Sequence, residues 1–272
     1  MTRPQGRVLA VAGSDSGGGA GIQADIKTVT ALGGFAMTAI TALTAQNTQG
    51  VEGIVAVGPD FIAQQMRLVL DDIGADCIKT GMLHSAEVIE AVAGTYDELA
   101  ADVPLVVDPV MVAKGGHSLL EVSAIDALKG EMVRRATVLT PNLPEAEALA
   151  GFEIGNVDDM KRAGEAILGL GAEAVLVKGG HLAGDTVTDI LLDGGGVRSF
   201  EDSRIETRHT HGTGCTLASA IATGLAQGLA LGDAVTRGRA YVREAISTAP
   251  GFGKGHGPMN HGHTVAPFDD TC

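Results

Sequence analysis

The sequence predicts an α/β fold of three layers, α/β/α, with a central, mostly parallel sheet flanked by helices on both faces. Three observations carry that expectation. Short runs rich in Val, Ile and Leu recur without polar alternation, which is the pattern of strands covered on both sides. They alternate with longer stretches of helical period, as in repeated strand–helix–strand units. Most of the runs are followed by a Gly, Asp or Pro, the residues that end strands and start turns.

Taken in order, the apolar run at 8–12 is the first expected strand, and it passes through the glycines from Gly13 to Gly21 into a helix at 20–31. A strand at 35–44, a helix at 59–73, a strand at 75–79 and a helix at 86–99 follow from the same alternation. The strand at 105–107 ends at Asp108-Pro109, where proline forbids helix at the aspartate and turns the chain. Helical period returns at 123–133, and a two-residue strand at 138–139 leads to Thr140-Pro141-Asn142-Leu143-Pro144-Glu145. Asn142 is placed to cap the helix expected at 145–150, with Glu145 in its first turn. A helix at 158–168 and a strand at 174–177 complete the parallel set. Runs at 186–192 and 197–200, separated by Asp193-Gly194-Gly195-Gly196, read as an antiparallel hairpin. Helices at 216–229 and 231–247 close the fold. No Pro/Ser-rich linker, charge block or repeat divides the chain, so residues 1–272 are expected to form one domain.

Composition narrows the function classes. At 45% hydrophobic residues the chain can bury a substantial core. Its formal net charge of -14 argues against a nucleic-acid or anionic-membrane surface, which needs clustered Lys and Arg. Any anionic ligand must be held locally, by a helix terminus, a metal ion or single lysines. Cys77, Cys215 and Cys272 are widely spaced and form no CxxC, which indicates neither a disulfide framework nor a zinc knuckle. The first apolar run is too short for a signal sequence, and no run reaches the roughly 18 residues that span a bilayer. A cytoplasmic protein is expected.

The candidate chemistry gathers where strands end. His211-Gly212-Thr213-Gly214-Cys215-Thr216-Leu217 stands where a polar stretch meets an apolar run of helical period, so free N–H groups should converge at the glycines and hold an anion. Cys215 there is expected to ionise more easily than a free thiol and to act as a base; the other reading is a small buried thiol in a glycine-rich loop. Asp108 is a candidate to organise a metal or phosphate, and Lys178 ends the last parallel strand near the same edge. The first loop, Gly13 to Gly21, matches neither a Walker A loop nor the Rossmann spacing. His256, His261 and His263 sit in a Gly- and Pro-rich stretch with no patterned element to fix metal geometry.

Several segments together carry a resemblance. They are Gly19-Ala20-Gly21-Ile22-Gln23-Ala24-Asp25-Ile26-Lys27, Thr41-Ala42-Leu43-Thr44-Ala45-Gln46-Asn47-Thr48, Asp108-Pro109-Val110-Met111, Asn142-Leu143-Pro144-Glu145, Lys178-Gly179-Gly180-His181 and His211-Gly212-Thr213-Gly214-Cys215-Thr216. On these the chain is similar to the ribokinase-like small-molecule kinases, and within them it resembles the bacterial hydroxymethylpyrimidine/phosphomethylpyrimidine kinases of thiamine biosynthesis. The resemblance implies an ATP- and Mg2+-dependent kinase that takes an aminopyrimidine as its small-molecule substrate and leans toward a homodimer. It implies that Asp25 and Gln46 hydrogen-bond the pyrimidine, Gln46 with a paired donor and acceptor, while Met82 and Val110 line the ring pocket. Gly212, Thr213, Gly214 and Cys215 would be anion hole and base, Asp108 and Glu145 would organise magnesium, and Lys178, Asn142 and Lys254 would lie near the nucleotide. Many relatives in the wider superfamily carry aspartate where Cys215 stands.

Two other readings share parts of this pattern. A pyridoxal-type vitamin kinase has the same fold, though no Cys-His pair follows Met111, where Val112-Ala113-Lys114-Gly115-Gly116-His117 stands. The second is a non-catalytic protein that binds a nucleotide or vitamin.

Overall fold

The computed structural model describes residues 5–112, 119–121 and 123–266. The segment after Val112 that bears on the pyridoxal reading, and Cys272, lie outside them. Among the described residues, nine strands form one sheet in the order β3-β2-β1-β4-β5-β6-β7-β8-β9. The parallel core is β2 (Phe35–Asn47), β1 (Arg7–Asp15), β4 (Cys77–Thr80), β5 (Leu105–Val107), β6 (Val138–Leu139) and β7 (Val175–Val177). Antiparallel strands extend both edges, β3 (Gly50–Ala56) beside β2, and β8 (Thr186–Asp193) with β9 (Gly196–Ser203) beyond β7.

The unbroken apolar runs are explained by where their side chains go. Successive residues of a strand point to opposite faces, so Leu105 and Val107 of β5 enter one buried cluster while Val106 enters the other. The first cluster lies under α2 (Pro59–Asp72), α3 (Ala86–Leu99), α5 (Leu143–Ala150) and α6 (Val157–Leu168). The second lies under α1 (Gly21–Ala31), α7 (Thr213–Ala226) and α8 (Leu231–Ser247). The sheet is thus sandwiched between helices, as the alternation predicted.

Two elements differ from expectation. β2 runs on to Asn47 and turns back into β3, a strand not expected from the sequence. Gly50, Glu52 and Gly53 break its apolar pattern, and none of its residues is fully buried; backbone pairing with β2 holds it. The stretch expected as one helix at 123–133 is α4 (Ala124–Ala127) followed by a π turn over Leu128–Met132 and a 3-10 turn over Val133–Arg135.

Candidate active site

All six parallel strands end on one side of the sheet, which is where ligands bind in such folds. There a cavity of about 810 Å³ opens. Its lining follows the sheet order. Asp15, Gln46 and Met82 come from the ends of β1, β2 and β4; Asp108, Asn142 and Lys178 come from beyond β5, β6 and β7; Asp189 on β8 and Arg239 and Val242 on α8 close the far end. Val110 and Glu145 also line it, as do all four residues from Gly212 to Cys215.

The floor of the cavity is the first turn of α7. Gly212 caps that helix with φ of 84°, a conformation that favours glycine. A Cβ there would also lie 1.8 Å from the carbonyl oxygen of Gly19, so at this point the first loop and the α7 terminus meet backbone to backbone. A Cβ at Gly214 would lie 3.2 Å from Lys178 Nζ and 3.5 Å from Asp108 Oδ2. The opening N–H groups of α7 therefore share their space with one ammonium and one carboxylate.

Lys178 Nζ donates to Asp108 Oδ1 at 3.0 Å, and the Thr140 hydroxyl donates to the same oxygen at 3.3 Å. Burial would push Lys178 down, but the carboxylates of Asp108 and Glu145 outweigh it and raise it. Asn142 and Glu145 form a capping box. The Asn142 N–H donates to Glu145 Oε2 at 2.8 Å, and the Glu145 N–H donates to Asn142 Oδ1 at 3.0 Å. Asn142 caps α5 as expected. Glu145 is drawn back to its own cap, and burial pushes its carboxyl up to about 7 against the opposing charge of Lys178.

Among the described residues no group of three or more His, Cys, Asp or Glu side chains converges to hold a metal, the tail histidines included. The residues present do fit magnesium. That ion keeps several waters and takes one or two carboxylates together with substrate phosphates, and Asp108 and Glu145 are two carboxylates on the wall beside the α7 terminus.

The structure places two sequence-derived site residues off the cavity wall and reverses the ionisation expected of a third. Asp25 is on the inward face of α1 with no solvent exposure, and does not line the cavity. Its Oδ1 accepts from Lys79 Nζ at 2.9 Å and from the Ser219 hydroxyl of α7 at 2.7 Å, so it ties α1 to β4 and α7 beneath the cavity. Lys254 is exposed and off the cavity wall. Its flanking glycines close on the β2–β3 turn, where a Cβ at Gly255 would lie 2.1 Å from the Thr48 carbonyl oxygen. Cys215 lines the cavity, but its thiol is harder to ionise than a free one. Burial pushes it up to about 11, Lys79 opposes that shift, and Asp108 and Asp25 add to it.

Sequence reasoning also left residues unassigned. Asp15, buried at the end of β1, accepts from the N–H groups of Gly17, Gly19 and Ala20 at 2.7, 3.0 and 2.8 Å, and stands 3.0 Å from His211 Nε2. Thr44 and Lys79 sat inside quoted or apolar stretches without any local signal of a role.

A parallel sheet with helices on both faces, a helix terminus aimed into a strand-end cavity, and a Lys–Asp pair beside it define a ribokinase-like phosphotransferase. A model of the phosphomethylpyrimidine kinase family matches residues 15–260, and the chain belongs to that family. It is 50% identical over 257 residues to the hydroxymethylpyrimidine/phosphomethylpyrimidine kinase of Streptomyces coelicolor, covering 94% of each protein. It is 54% identical over 259 residues to the thiamine biosynthesis bifunctional protein ThiED of Geobacter sulfurreducens, covering 95% of this chain but only 52% of that protein. The chain thus spans about half the length of the bifunctional relative. A solved Bacillus subtilis pyridoxal kinase in an ADP complex superposes with a TM-score of 0.88 at 37% identity, over 95% of this chain and 98% of that one.

Proposed function

We propose that the chain transfers the γ-phosphoryl group of ATP to the hydroxymethyl oxygen of 4-amino-5-hydroxymethyl-2-methylpyrimidine, and then a second phosphoryl group to the resulting monophosphate. One cavity carries this reading: Gln46 and Met82 stand toward the β1–β2 end, the α7 terminus with Lys178 and Asp108 stands in the middle, and the β8–α8 wall stands beyond. That order matches acceptor, transferred group and nucleotide in line. Family membership and the ADP-bound neighbour support ATP as donor. We take residues 1–272 as one kinase domain that works as a homodimer.

The N–H groups at the start of α7 would meet the charge that develops on the transferred group, and such fixed donors are worth about 2.7–4 kcal/mol each in comparable sites. Lys178 would draw the phosphate into place while Asp108 keeps its ammonium aimed. Magnesium, when bound near Asp108 and Glu145, would offset phosphate charge. Gln46 would pair with the amino group and ring nitrogen of the pyrimidine, with Met82 and Val110 against the ring. Cys215 would accept the hydroxymethyl proton. Because its thiol is protonated at rest, that role falls to a minority thiolate.

Among the relatives described above, identity is higher to the hydroxymethylpyrimidine/phosphomethylpyrimidine kinase, at 50%, than to the pyridoxal kinase, at 37%, which favours the pyrimidine. Pyridoxal also lacks the amino group beside a ring nitrogen that Gln46 would read. The test is ADP release with each acceptor in turn. The reading requires a kcat/KM for the aminopyrimidine at least about 100-fold above that for pyridoxal, and a preference for pyridoxal would reverse it.

A further inference from the structure

The amide of Gln46 sits in a ring of groups that tolerates only one of its two senses. Asp15 accepts three backbone N–H bonds, which together with His211 outweigh its burial and hold its carboxyl below the usual range. An ionised carboxylate only accepts. His211 Nε2, 3.0 Å from Asp15 Oδ2, therefore presents an N–H there whatever charge the ring carries. The ring is held in place by glycine, since a Cβ at Gly19 would lie 2.5 Å from its Cδ2. A nitrogen that carries that hydrogen has no lone pair left for a second donor.

The atom 3.3 Å away from that nitrogen stands as Nε2 of the Gln46 amide, with Oε1 toward Thr44, an assignment that hydrogen-bond partners and not shape must settle. With the amide nitrogen on this side, donor would face donor. At the other end, the Thr44 hydroxyl lies 2.9 Å from the Ser14 carbonyl oxygen and 3.1 Å from the amide, and it has one hydrogen for the two. If the amide oxygen faced Thr44, that one hydrogen would be shared between two acceptors, and donor would still face donor at His211. With the oxygen toward His211 and the nitrogen toward Thr44, every group is satisfied. The one His211 Nε2–H is then shared between Asp15 and, at the longer distance, the amide oxygen, the amide nitrogen donates to Thr44, and Thr44 donates to Ser14. The two oxygen/nitrogen senses of an amide are distinguished by such partners and not by shape.

We infer that His211, anchored by Asp15, and Thr44 are positioning residues that fix the sense of the Gln46 amide, and so require a ligand edge with its hydrogen-bond donor on the His211 side and its acceptor on the Thr44 side. The inference rests on the proposed role of Gln46 in reading the pyrimidine. An amino group beside an unprotonated ring nitrogen meets the requirement. A ring oxo group beside an N–H presents the same two atoms in reverse polarity and does not. The device therefore selects 4-aminopyrimidines against their 4-oxo counterparts, and it orients the ring as it selects.

The experiment measures kcat/KM, with ATP and Mg2+, for the 4-amino-5-hydroxymethylpyrimidine and for its 4-oxo analogue. The wild type should prefer the amino compound by about 10³-fold or more, because the wrong polarity leaves buried groups unpaired. His211→Phe should cut that ratio at least about tenfold, mainly through KM for the amino compound, whereas His211→Gln, whose side-chain amide can donate to Asp15, should keep the ratio within about threefold. Thr44→Val breaks the other end of the ring and should also lower the ratio, which keeps the test decisive if His211→Phe does not fold. In a Gln46→Leu background neither change should alter it further. Equal slowing of both compounds in His211→Phe and Thr44→Val, with the ratio intact, would overturn the inference. Failure of the wild type to turn over either pyrimidine would instead overturn the proposed function.

Discussion

Nζ of Lys79 lies 2.9 Å from Oδ1 of Asp25, and neither side chain reaches solvent. Burial would push the ammonium down, but the Asp25 carboxylate, helped by Asp108, more than reverses that and keeps it charged. Ser219 of α7 donates to the same oxygen at 2.7 Å. The pair thus joins β4, α1 and α7 directly beneath the glycines that form the cavity floor.

Removing one partner should expose the cost of burying the other. Lys79→Met leaves Asp25 uncompensated and should destabilise the fold by about 3–5 kcal/mol. Adding Asp25→Leu should recover most of that loss, since an apolar pair of similar volume replaces both charges. Denaturant unfolding of the wild type, both single variants and the double variant measures the coupling. Strictly additive losses would show that the pair does not act as a unit.

Gly212 should not accept a side chain. Its φ of 84° and the Gly19 carbonyl oxygen, 1.8 Å from where a Cβ would sit, force the first loop and the α7 terminus apart in Gly212→Ala. The expected result is a fall in kcat of about 10²-fold or more, as when donors to a developing charge are misplaced. Gly228→Ala, at a positive φ with open space around it, is the control for backbone strain alone. Retention of kcat in Gly212→Ala would remove the α7 N–H groups from the account.

Much of this arrangement was legible in the sequence because it is local. The buried strands announce themselves by unbroken Val, Ile and Leu, and Asn142 with Glu145 forms a capping box within four residues. Lys178 and Asp108 could be placed at strand ends, though not at 3.0 Å from each other. What could not be read was depth and distant pairing. Asp25 was expected as a substrate ligand because the resemblance implied it, yet its partner Lys79 is 54 residues away in a stretch that reads as apolar strand. Asp15 and His211 meet across 196 residues. The Cys215 thiol was expected to ionise easily at a helix terminus, and burial among carboxylates reversed that.

Asp108 should matter most through Lys178 and the metal. Asp108→Asn keeps the shape but removes the charge that aims the ammonium, and kcat should fall by about 10²–10³-fold. The magnesium concentration for half-maximal rate should rise, and excess chelator should abolish wild-type activity. Wild-type kcat in Asp108→Asn at limiting magnesium would show that the residue is only structural.

The Cys215 thiol, pushed up to about 11, sets the sign of a pH dependence. A base is active only when deprotonated, so below that pH the thiolate fraction grows about tenfold per pH unit. Phosphorylation of the neutral alcohol should therefore climb between pH 7 and 9, while phosphorylation of the monophosphate, already an anion, should stay nearly flat. Cys215→Ala should slow the first step by about 10²–10⁴-fold and remove its slope, leaving the α7 amides and the second step largely intact. Equal slowing of both steps, or the same slope with and without the thiol, would mean that another group takes the proton.

Product analysis by mass spectrometry tests the central claim most directly. With the hydroxymethyl-aminopyrimidine, excess ATP and Mg2+, the chain alone should produce first the monophosphate and then the pyrophosphate, releasing one ADP at each step. Accumulation of neither phosphate, with pyridoxal phosphorylated under the same conditions, would contradict the account.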